Sequence, residues 1–230
     1  EPLARLHVII RTKRGEVPHV DVAELEARLI EAGRTWGDRL RQSLHDRFKD
    51  GEGVRLYDRY AEAFPVSYRE RFDPGIAIED ILLLEDAAKG EGLALTLYRP
   101  IEAAPDELGF KIVHRGTPLA LSDVLPVLEH MGVRAISEMP YRVSPRGAAG
   151  GEVLWIHDFA LAMAPQAGGQ RGDVVLSQVR DVFHDVFAKV WRGALENDGF
   201  NRLVLLAGLD AAGIVVLRAY AKYLRQAAFT

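Results

Sequence analysis

The apolar residues of this chain change their spacing at Leu93, and this change limits the folds available to it. Before that point they recur every three, four or seven residues, as in helices, whereas four later segments show strand-like patterns. Two further helical segments lie among those strands. The predicted strands are Leu93–Arg99, Phe110–Arg115, Val133–Val143 and Val153–Met163, and the predicted helices are Ser122–His130 and Asp173–Trp191.

The order of these six elements predicts an α+β fold. It reads strand, strand, helix, strand, strand, helix, which differs from the ferredoxin-like order only because the last strand has moved to the front. In a ferredoxin-like sheet the last strand lies antiparallel beside the first, so a hairpin partner placed ahead of the first strand can occupy the same position. We therefore predict a ferredoxin-like, four-stranded antiparallel sheet with both helices on one face, flanked by helical segments.

The ends of the two helices carry capping signals. We expect Ser122 to cap the first helix, with Pro126 in its first turn and Gly132 as its stop. Asp173 is expected to cap the second helix, which is strongly amphipathic. The expected buried stripe of this second helix consists of Val175, Val179, Val182, Phe183, Val186, Phe187, Val190 and Trp191.

Strand geometry also decides how the adjacent His157 and Asp158 are interpreted. Neighbouring side chains on a strand point to opposite faces, so these two cannot directly form an acid–base pair. A hydrogen-bonding role on the sheet or between domains is the favoured interpretation, and core packing is favoured for Trp36, Trp155 and Trp191. The same alternation predicts that one face of the third strand carries Val133, Ala135, Met139, Tyr141 and Val143.

The part before the sheet is predicted to contain three helical runs. Asp21 caps the first run, and Gly33 and Gly37 are expected to bend it. The other two runs are Val54–Phe64 and Asp73–Glu85, the second of which starts with proline at its first helical position. These runs are interpreted as a packing layer.

Four regions follow from this organisation. Residues 1–20 hold an isolated strand, Leu6–Arg11, with no partner before it, and residues 21–90 form a helical spacer. Residues 91–195 hold the predicted sheet, and residues 196–230 form a further helical region.

Composition excludes several classes of function. A net charge of −4 disfavours nucleic acid or an anionic membrane as partner, and the absence of cysteine excludes disulfides and thiolate metal ligands. No apolar run is long enough for a membrane span and no signal peptide is recognisable, so a cytoplasmic protein is expected.

The chain has no initiator Met, and a helical pattern runs almost to its last residue, so we expect an excised segment of a longer protein.

Motifs for independent catalysis are absent from the sequence. There is no Gly-x-Gly-x-x-Gly turn after a strand and no phosphate-binding loop, and the seven histidines lack the spacing of metal ligands on a helix. No metal site, catalytic residue or cofactor is therefore predicted within this chain.

Six segments carry patterns that are specific in combination: Leu121–Pro126, Val133–Tyr141, Trp155–Phe159, Asn201–Leu205, Ala207–Leu209 and Leu217–Gln226. Together they resemble one enzyme family, the large-subunit bacterial NAD-specific glutamate dehydrogenases. The resemblance implies a parent that converts L-glutamate to 2-oxoglutarate with NAD, and a regulatory ACT domain within this chain. It further implies partnership with the rest of the parent polypeptide, including its catalytic domain, and a homo-oligomer. By the same resemblance, residues 1–20 belong to a preceding module and residues 196–230 form a helical connection toward the catalytic domain.

The same resemblance implies one candidate site for an amino-acid effector. In ACT domains the loop between the first sheet strand and its helix offers backbone N–H groups to a ligand, and the matching loop here is His114–Leu121. Three alternatives stay open: an ACT module used only for assembly, a standalone amino-acid sensor and a freestanding enzyme. The candidate effector-binding residues are Arg115, Gly116, Thr117, Leu119, Ser122 and Asp123.

Overall fold

A four-stranded sheet forms the centre of the fold. The computed structural model describes residue 13 and residues 21–49, 51–101, 103–147, 152–164 and 175–227, and the predicted strand Leu6–Arg11 lies outside them. The four strands are β1 (Leu93–Tyr98), β2 (Glu107–Arg115), β3 (Val133–Val143) and β4 (Leu154–Met163). All neighbours pair antiparallel, in the spatial order β1-β2-β4-β3.

This strand order confirms the predicted ferredoxin-like topology. β1 lies beside β2, in the place that the last strand of a ferredoxin-like sheet occupies beside the first. β4 lies between β2 and β3 and is antiparallel to both, so β2 and β3 run parallel and their connection must cross the sheet.

The described residues form nine α-helices and a short 3-10 helix, Gly199–Arg202. None of these helices is long and apolar enough to cross a bilayer. The α-helices are α1 (Val22–Gly33), α2 (Trp36–Arg47), α3 (Glu52–Tyr60), α4 (Val66–Arg71), α5 (Pro74–Lys89), α6 (Leu121–His130), α7 (Leu176–Trp191), α8 (Leu203–Ala207) and α9 (Ala211–Gln226).

The sheet separates two apolar cores. On one face, side chains such as Phe110 and Phe159 pack against α6 and α7, as predicted, and α8 and α9 extend that core. On the other face, side chains such as Val113 and Ile156 pack against the layer formed by α2 to α5. The helical segments that precede the sheet in sequence therefore cover its second face, whereas those that follow it extend the first core.

The first predicted helical run is two helices. Asp21 caps α1 as expected, since its carboxylate accepts from the N–H groups of Ala23 and Glu24. A second cap then interrupts the run, because Thr35 and Asp38 form a reciprocal capping box at the start of α2. The pattern also does not predict α4, a helix of six residues that begins directly after Pro65.

The prediction for the faces of β3 is wrong beyond its third residue. The pairing of β3 with β4 shifts by one residue between Ala135 and Ser137, which marks a β-bulge. An extra residue in a strand inverts the alternation of all later side chains. Val133 therefore packs in the core beneath α6 and α7, whereas Tyr141 and Val143 pack in the opposite core.

The predicted N-terminal caps of the two sheet-covering helices are also wrong. Ala120 is the N-cap of α6, and the Ser122 hydroxyl donates to the Asp123 carboxylate instead of holding the helix start. Pro126 is the sixth helical residue, so it removes an interior hydrogen bond and does not lie in the first turn. Asp173 lies outside the described residues, and α7 begins at Leu176 with Val175 as N-cap.

The glycine stop of α6 is confirmed, and the buried stripe of α7 is confirmed in part. Gly132 follows α6 with a φ of +86°, a backbone conformation that suits a glycine stop. The central residues of the predicted α7 stripe are buried, whereas Val182 and Trp191 are half-buried and pack against the edge of the core. Val175 is 53% exposed, because it precedes the helix as its N-cap. The buried residues are Val179, Phe183, Val186, Phe187 and Val190.

Candidate effector-binding loop

The loop between β2 and α6 is held to the sheet by its own backbone. The Gly116 N–H donates to the Val153 carbonyl at 2.9 Å, and its carbonyl accepts from Trp155 Nε1 at 3.1 Å. His114 Nδ1 lies 3.1 Å from the Thr117 carbonyl oxygen. Gly116 has a φ of +95°, which a residue with a side chain adopts only with strain, so the turn favours glycine.

His157 anchors the second half of the loop. Its ring is 2% exposed, and Nε2 accepts from the Leu119 N–H at 3.1 Å while Nδ1 lies 2.7 Å from Glu138 Oε1. Because Nε2 accepts, Nδ1 must carry the proton that is donated to the Glu138 carboxylate. These two hydrogen bonds connect the loop and β3 to β4. The side chain of Asp158 points to the opposite face of the sheet, as strand geometry predicts.

The structure separates Arg115 from the other candidate residues. Arg115 Nη1 lies 3.4 Å from Glu152 and 3.5 Å from the Ala88 carbonyl at the end of α5, on the side of the helical layer. Gly116, Thr117 and Leu119 form the loop itself. Ser122 and Asp123 bond to each other in the first turn of α6, on the other face of the sheet.

Two backbone N–H groups of the loop already donate to acceptors within the protein. Gly116 donates to Val153 and Leu119 donates to His157. A ligand that uses either group must therefore displace an existing hydrogen bond, which lowers the net gain from binding. Effector binding by Arg115, Gly116, Thr117, Leu119, Ser122 and Asp123 stays a prediction.

The sequence analysis did not predict a polar cluster that lies between the sheet and the helical layer of α2 to α5. Lys111 Nζ, on β2, lies 2.6 and 2.9 Å from the two carboxylate oxygens of Asp80, on α5, and the Tyr68 hydroxyl donates to Asp80 at 2.5 Å. Nearby, the Tyr98 hydroxyl donates to Asp158 at 2.7 Å. A lysine inside an apolar strand is the only signal that points to this cluster.

Burial governs the protonation of this cluster. It raises the pKa of the Asp80 carboxyl, and the ion pair with Lys111 opposes that rise. Burial also raises the pKa of the Tyr68 and Tyr98 hydroxyls, and the neighbouring carboxylates of Asp80 and Asp158 add to the effect. Both tyrosines therefore stay neutral donors. Within the described ranges, no three His, Asp or Glu side chains are grouped as metal ligands.

The three tryptophans serve packing and backbone contacts. Trp36 packs beside the helical-layer core and donates from Nε1 to the Phe72 carbonyl at 2.9 Å. Trp191 stacks on Phe187, and Trp155 holds the Gly116 carbonyl. This agrees with core packing for Trp36 and Trp191 and gives Trp155 a role in the loop.

The fold and its loop define an ACT-type domain set between helical modules. Residues 92–174 match the model of the glutamate dehydrogenase ACT3 domain, and residues 1–37 match that of the ACT2 domain. Residues 43–87 and 195–230 match the models of glutamate dehydrogenase helical motifs 2 and 3. The chain belongs to the glutamate dehydrogenase family that these models describe.

Curated relatives agree with this assignment. The chain is 37% identical over 227 residues to the NAD-specific glutamate dehydrogenase of Halomonas elongata, covering 99% of this chain and 14% of that protein. It is 37% identical over 224 residues to that of Pseudomonas aeruginosa, covering 97% of this chain and 13% of that protein. The corresponding Mycobacterium tuberculosis protein is 32% identical over 241 residues, with 99% and 14% covered. The chain therefore spans about a seventh of the length of the curated relatives it matches.

Proposed function

We propose that this chain is a non-catalytic regulatory and assembly segment of an NAD-dependent glutamate dehydrogenase. The parent would convert L-glutamate to 2-oxoglutarate and ammonia in the cytoplasm, with NAD bound elsewhere in the polypeptide. Support comes from the four glutamate dehydrogenase matches and from relatives named NAD-specific glutamate dehydrogenase, of which this chain covers 14% or less. The alternative is a standalone amino-acid-sensing ACT module with no attached enzyme.

The observation that carries the assembly role is the apolar outer face of α9. Its buried side consists of Ala211, Ile214 and Arg218, which contact the rest of the chain. A separate stripe on the helix consists of large apolar side chains that are 42–65% exposed. Such a stripe on an amphipathic helix indicates a surface for packing. It consists of Val216, Leu217, Tyr220, Tyr223 and Leu224.

The position of α9 is fixed by a buried arginine. Arg218 is 4% exposed, and its guanidinium lies 2.7 and 3.0 Å from the Asp198 carboxylate oxygens and 2.9 Å from the Asn201 side-chain oxygen. Lys222 adds an exposed ion pair with Glu196 at 2.7 Å. Because a bidentate Arg–carboxylate pair sets both position and angle, α9 presents its apolar stripe in a defined direction.

A comparable surface is found on α1. None of its residues is buried, although Val22, Leu25, Leu29 and Ile30 share one side of the helix and are 45–65% exposed. α1 lies within the 1–37 match to the ACT2 domain. We infer that the α1 stripe packs on that domain and the α9 stripe on the polypeptide toward the catalytic domain. The division into residues 1–20, 21–90, 91–195 and 196–230 is part of the same proposal.

The complete reading frame that encodes this chain provides the test. We expect the full-length protein to reduce NAD in the presence of glutamate and the purified 230-residue chain to show no such activity. In the full-length protein, the triple variant Val216→Ser/Tyr220→Ser/Tyr223→Ser should lower both the specific activity and the melting temperature, because it removes three of the five apolar side chains of the stripe without touching Arg218.

A matched variant keeps this test specific. Ala212→Ser/Ala219→Ser changes exposed residues of the same helix but removes no large apolar side chain, so it should behave as the wild type. Equal behaviour of the two variants would overturn the role of α9. NAD reduction by the isolated chain would overturn the non-catalytic assignment, and a reading frame confined to these residues would favour the standalone sensor.

A further inference from the structure

We propose that a cleft at the other end of the sheet from the Gly116 loop binds a small zwitterion, a free α-amino acid. The cleft has a volume of about 440 Å³ and lies where β1 and β4 end and β2 and β3 begin. The proposal does not depend on the proposed function of the parent. The side chains that carry it are Arg71, Tyr98, Arg134, Ile136 and Asp158.

Asp158 supplies an acceptor at the base of the cleft. The residue is 4% exposed, and its Oδ1 accepts from the Tyr98 hydroxyl at 2.7 Å. Its Oδ2 is 3.7 Å from Arg71 Nη2, beyond hydrogen-bond distance. By contrast, the equally buried Asp80 uses both oxygens, at 2.6 and 2.9 Å from Lys111 Nζ. A buried carboxylate needs partners for its lone pairs, so Asp158 has capacity for an added donor such as an ammonium group.

The wall beside Asp158 is rigid. A Cβ on Gly109 would lie 2.2 Å from the Tyr98 ring, so the ring lies directly against the backbone of β2 and requires glycine there. This contact directs the Tyr98 hydroxyl to Asp158. A polar group held in place by its own scaffold in this way is typical of a preformed site.

Two arginines provide the complementary charge. Arg71 has a side chain that is 49% exposed, and Arg134, at the start of β3, is exposed on the cleft. A guanidinium binds a carboxylate through two parallel hydrogen bonds. The bulge in β3 places Ile136 between the paired residues Ala135 and Ser137, and its side chain, 58% exposed, forms an apolar part of the same wall.

The remaining charges distinguish a zwitterion from a simple anion. Asp106 and Glu107 also line the cleft, so together with Asp158 they offset the two arginines. An inorganic anion would meet three carboxylates, whereas a molecule with both an ammonium and a carboxylate group can satisfy both charge types. The apolar wall accommodates a short aliphatic side chain.

Isothermal titration calorimetry on the 230-residue chain tests the site. The probes are glycine, L-alanine, L-valine and L-leucine, each at concentrations up to about 10 mM. Propionate and propylamine carry only one of the two charges, and we expect each to bind at least about tenfold more weakly than L-alanine, since one charge-assisted contact is lost. Absence of binding by all four amino acids would overturn the proposal.

Substitutions locate the bound molecule. Arg134→Gln and Asp158→Asn should each weaken binding by about tenfold or more. Arg134 is exposed, so its substitution leaves the fold intact even if Asp158→Asn does not. Arg142→Gln, at the other end of β3, is the matched control and should bind as the wild type. Binding that survives Arg134→Gln and is abolished by Gly116→Val would assign the ligand to the loop and overturn the cleft.

Discussion

At the scale of single residues, buried charges connect segments that are far apart in the sequence. Lys111 is 3% exposed, and its ion pair joins β2 to Asp80 on α5, thirty-one positions away. Removal of one partner would leave an uncompensated charge between the helical layer and the sheet, which is strongly unfavourable. The pair therefore makes the two layers dependent on each other.

His184 gives the folded state a dependence on pH. Its Nε2 accepts from the Leu97 N–H of β1 at 2.8 Å, and burial lowers its pKa from 6.5 to about 4. Because the unfolded chain then binds the proton more tightly, stability is full above the unfolded pKa and falls as the pH decreases toward the folded pKa. Between pH 7 and pH 5 we expect this residue to account for a loss of at most about 2 kcal/mol in the free energy of unfolding.

The measurement is urea denaturation at both pH values for the wild type and for His184→Gln. Glutamine offers a carbonyl acceptor to Leu97 but does not titrate, so the loss of stability between pH 7 and pH 5 should be smaller in the variant. An equal loss in the two proteins would show that the pH dependence arises elsewhere.

At the scale of elements, the residues of α7 contribute unequally to the stability of the fold. Phe187 is fully buried and lies edge-on to Phe110 of β2, with ring centroids 5.1 Å apart. Trp191 is only half-buried and stacks on Phe187 at the end of the helix. We expect Phe187→Ala to lower the free energy of unfolding by about 3 to 5 kcal/mol and Trp191→Ala by about 1 to 2 kcal/mol, because less of its surface leaves water on folding. Chemical denaturation of both variants measures the difference, and an equal or reversed order would contradict the packing of α7.

The edges of the sheet bear on how copies of the chain associate. On β1, His184 occupies the Leu97 N–H, which points away from β2. On β3, the bulge after Ala135 and the presence of Pro140 interrupt a regular edge. Both features disfavour pairing between the sheets of two molecules. The homo-oligomer expected from the family resemblance stays a prediction, and edge-to-edge pairing is not the favoured route to it.

At the scale of the whole molecule, one sheet serves two cores. Residues 43–87 and 92–174 match separate family models, yet Val113, Tyr141 and Ile156 of the sheet lie in the core formed with α2 to α5. Because neither layer can separate without exposing sheet residues to water, we expect a single cooperative unfolding transition.

Tryptophan fluorescence can report each layer separately. Trp155→Phe/Trp191→Phe retains Trp36 in the helical layer, and Trp36→Phe/Trp155→Phe retains Trp191 against the other core. In each variant the fluorescence midpoint in urea should coincide with the midpoint seen by far-UV circular dichroism. A fluorescence transition that precedes the circular-dichroism transition in either variant would show that the layers unfold independently.

The local pattern of apolar residues was sufficient to predict the order of the sheet strands and their covering helices, and many of the core residues. The alternation in β2 and β4 and the helical spacing in α6 and α7 depend on neighbouring residues alone, and the resulting order led to the observed strand arrangement. Strand geometry also correctly placed the side chains of His157 and Asp158 on opposite faces of the sheet, because adjacent residues of a strand face opposite ways. The family resemblance, carried by several short segments together, led to the glutamate dehydrogenase assignment.

Contacts between distant segments decided the rest. The bulge in β3 reverses the faces of Tyr141 and Val143 through its pairing with β4, and no spacing within β3 indicates it. The partners of Asp158 and His157 likewise come from β1, β3 and the loop before α6. The sequence by itself therefore determined the four strands, the two helices that cover the sheet and the order in which the strands pair, but not α4 or the break between α1 and α2. The tertiary structure alone decided which side chains meet across them, because those contacts depend on register and on approach in three dimensions.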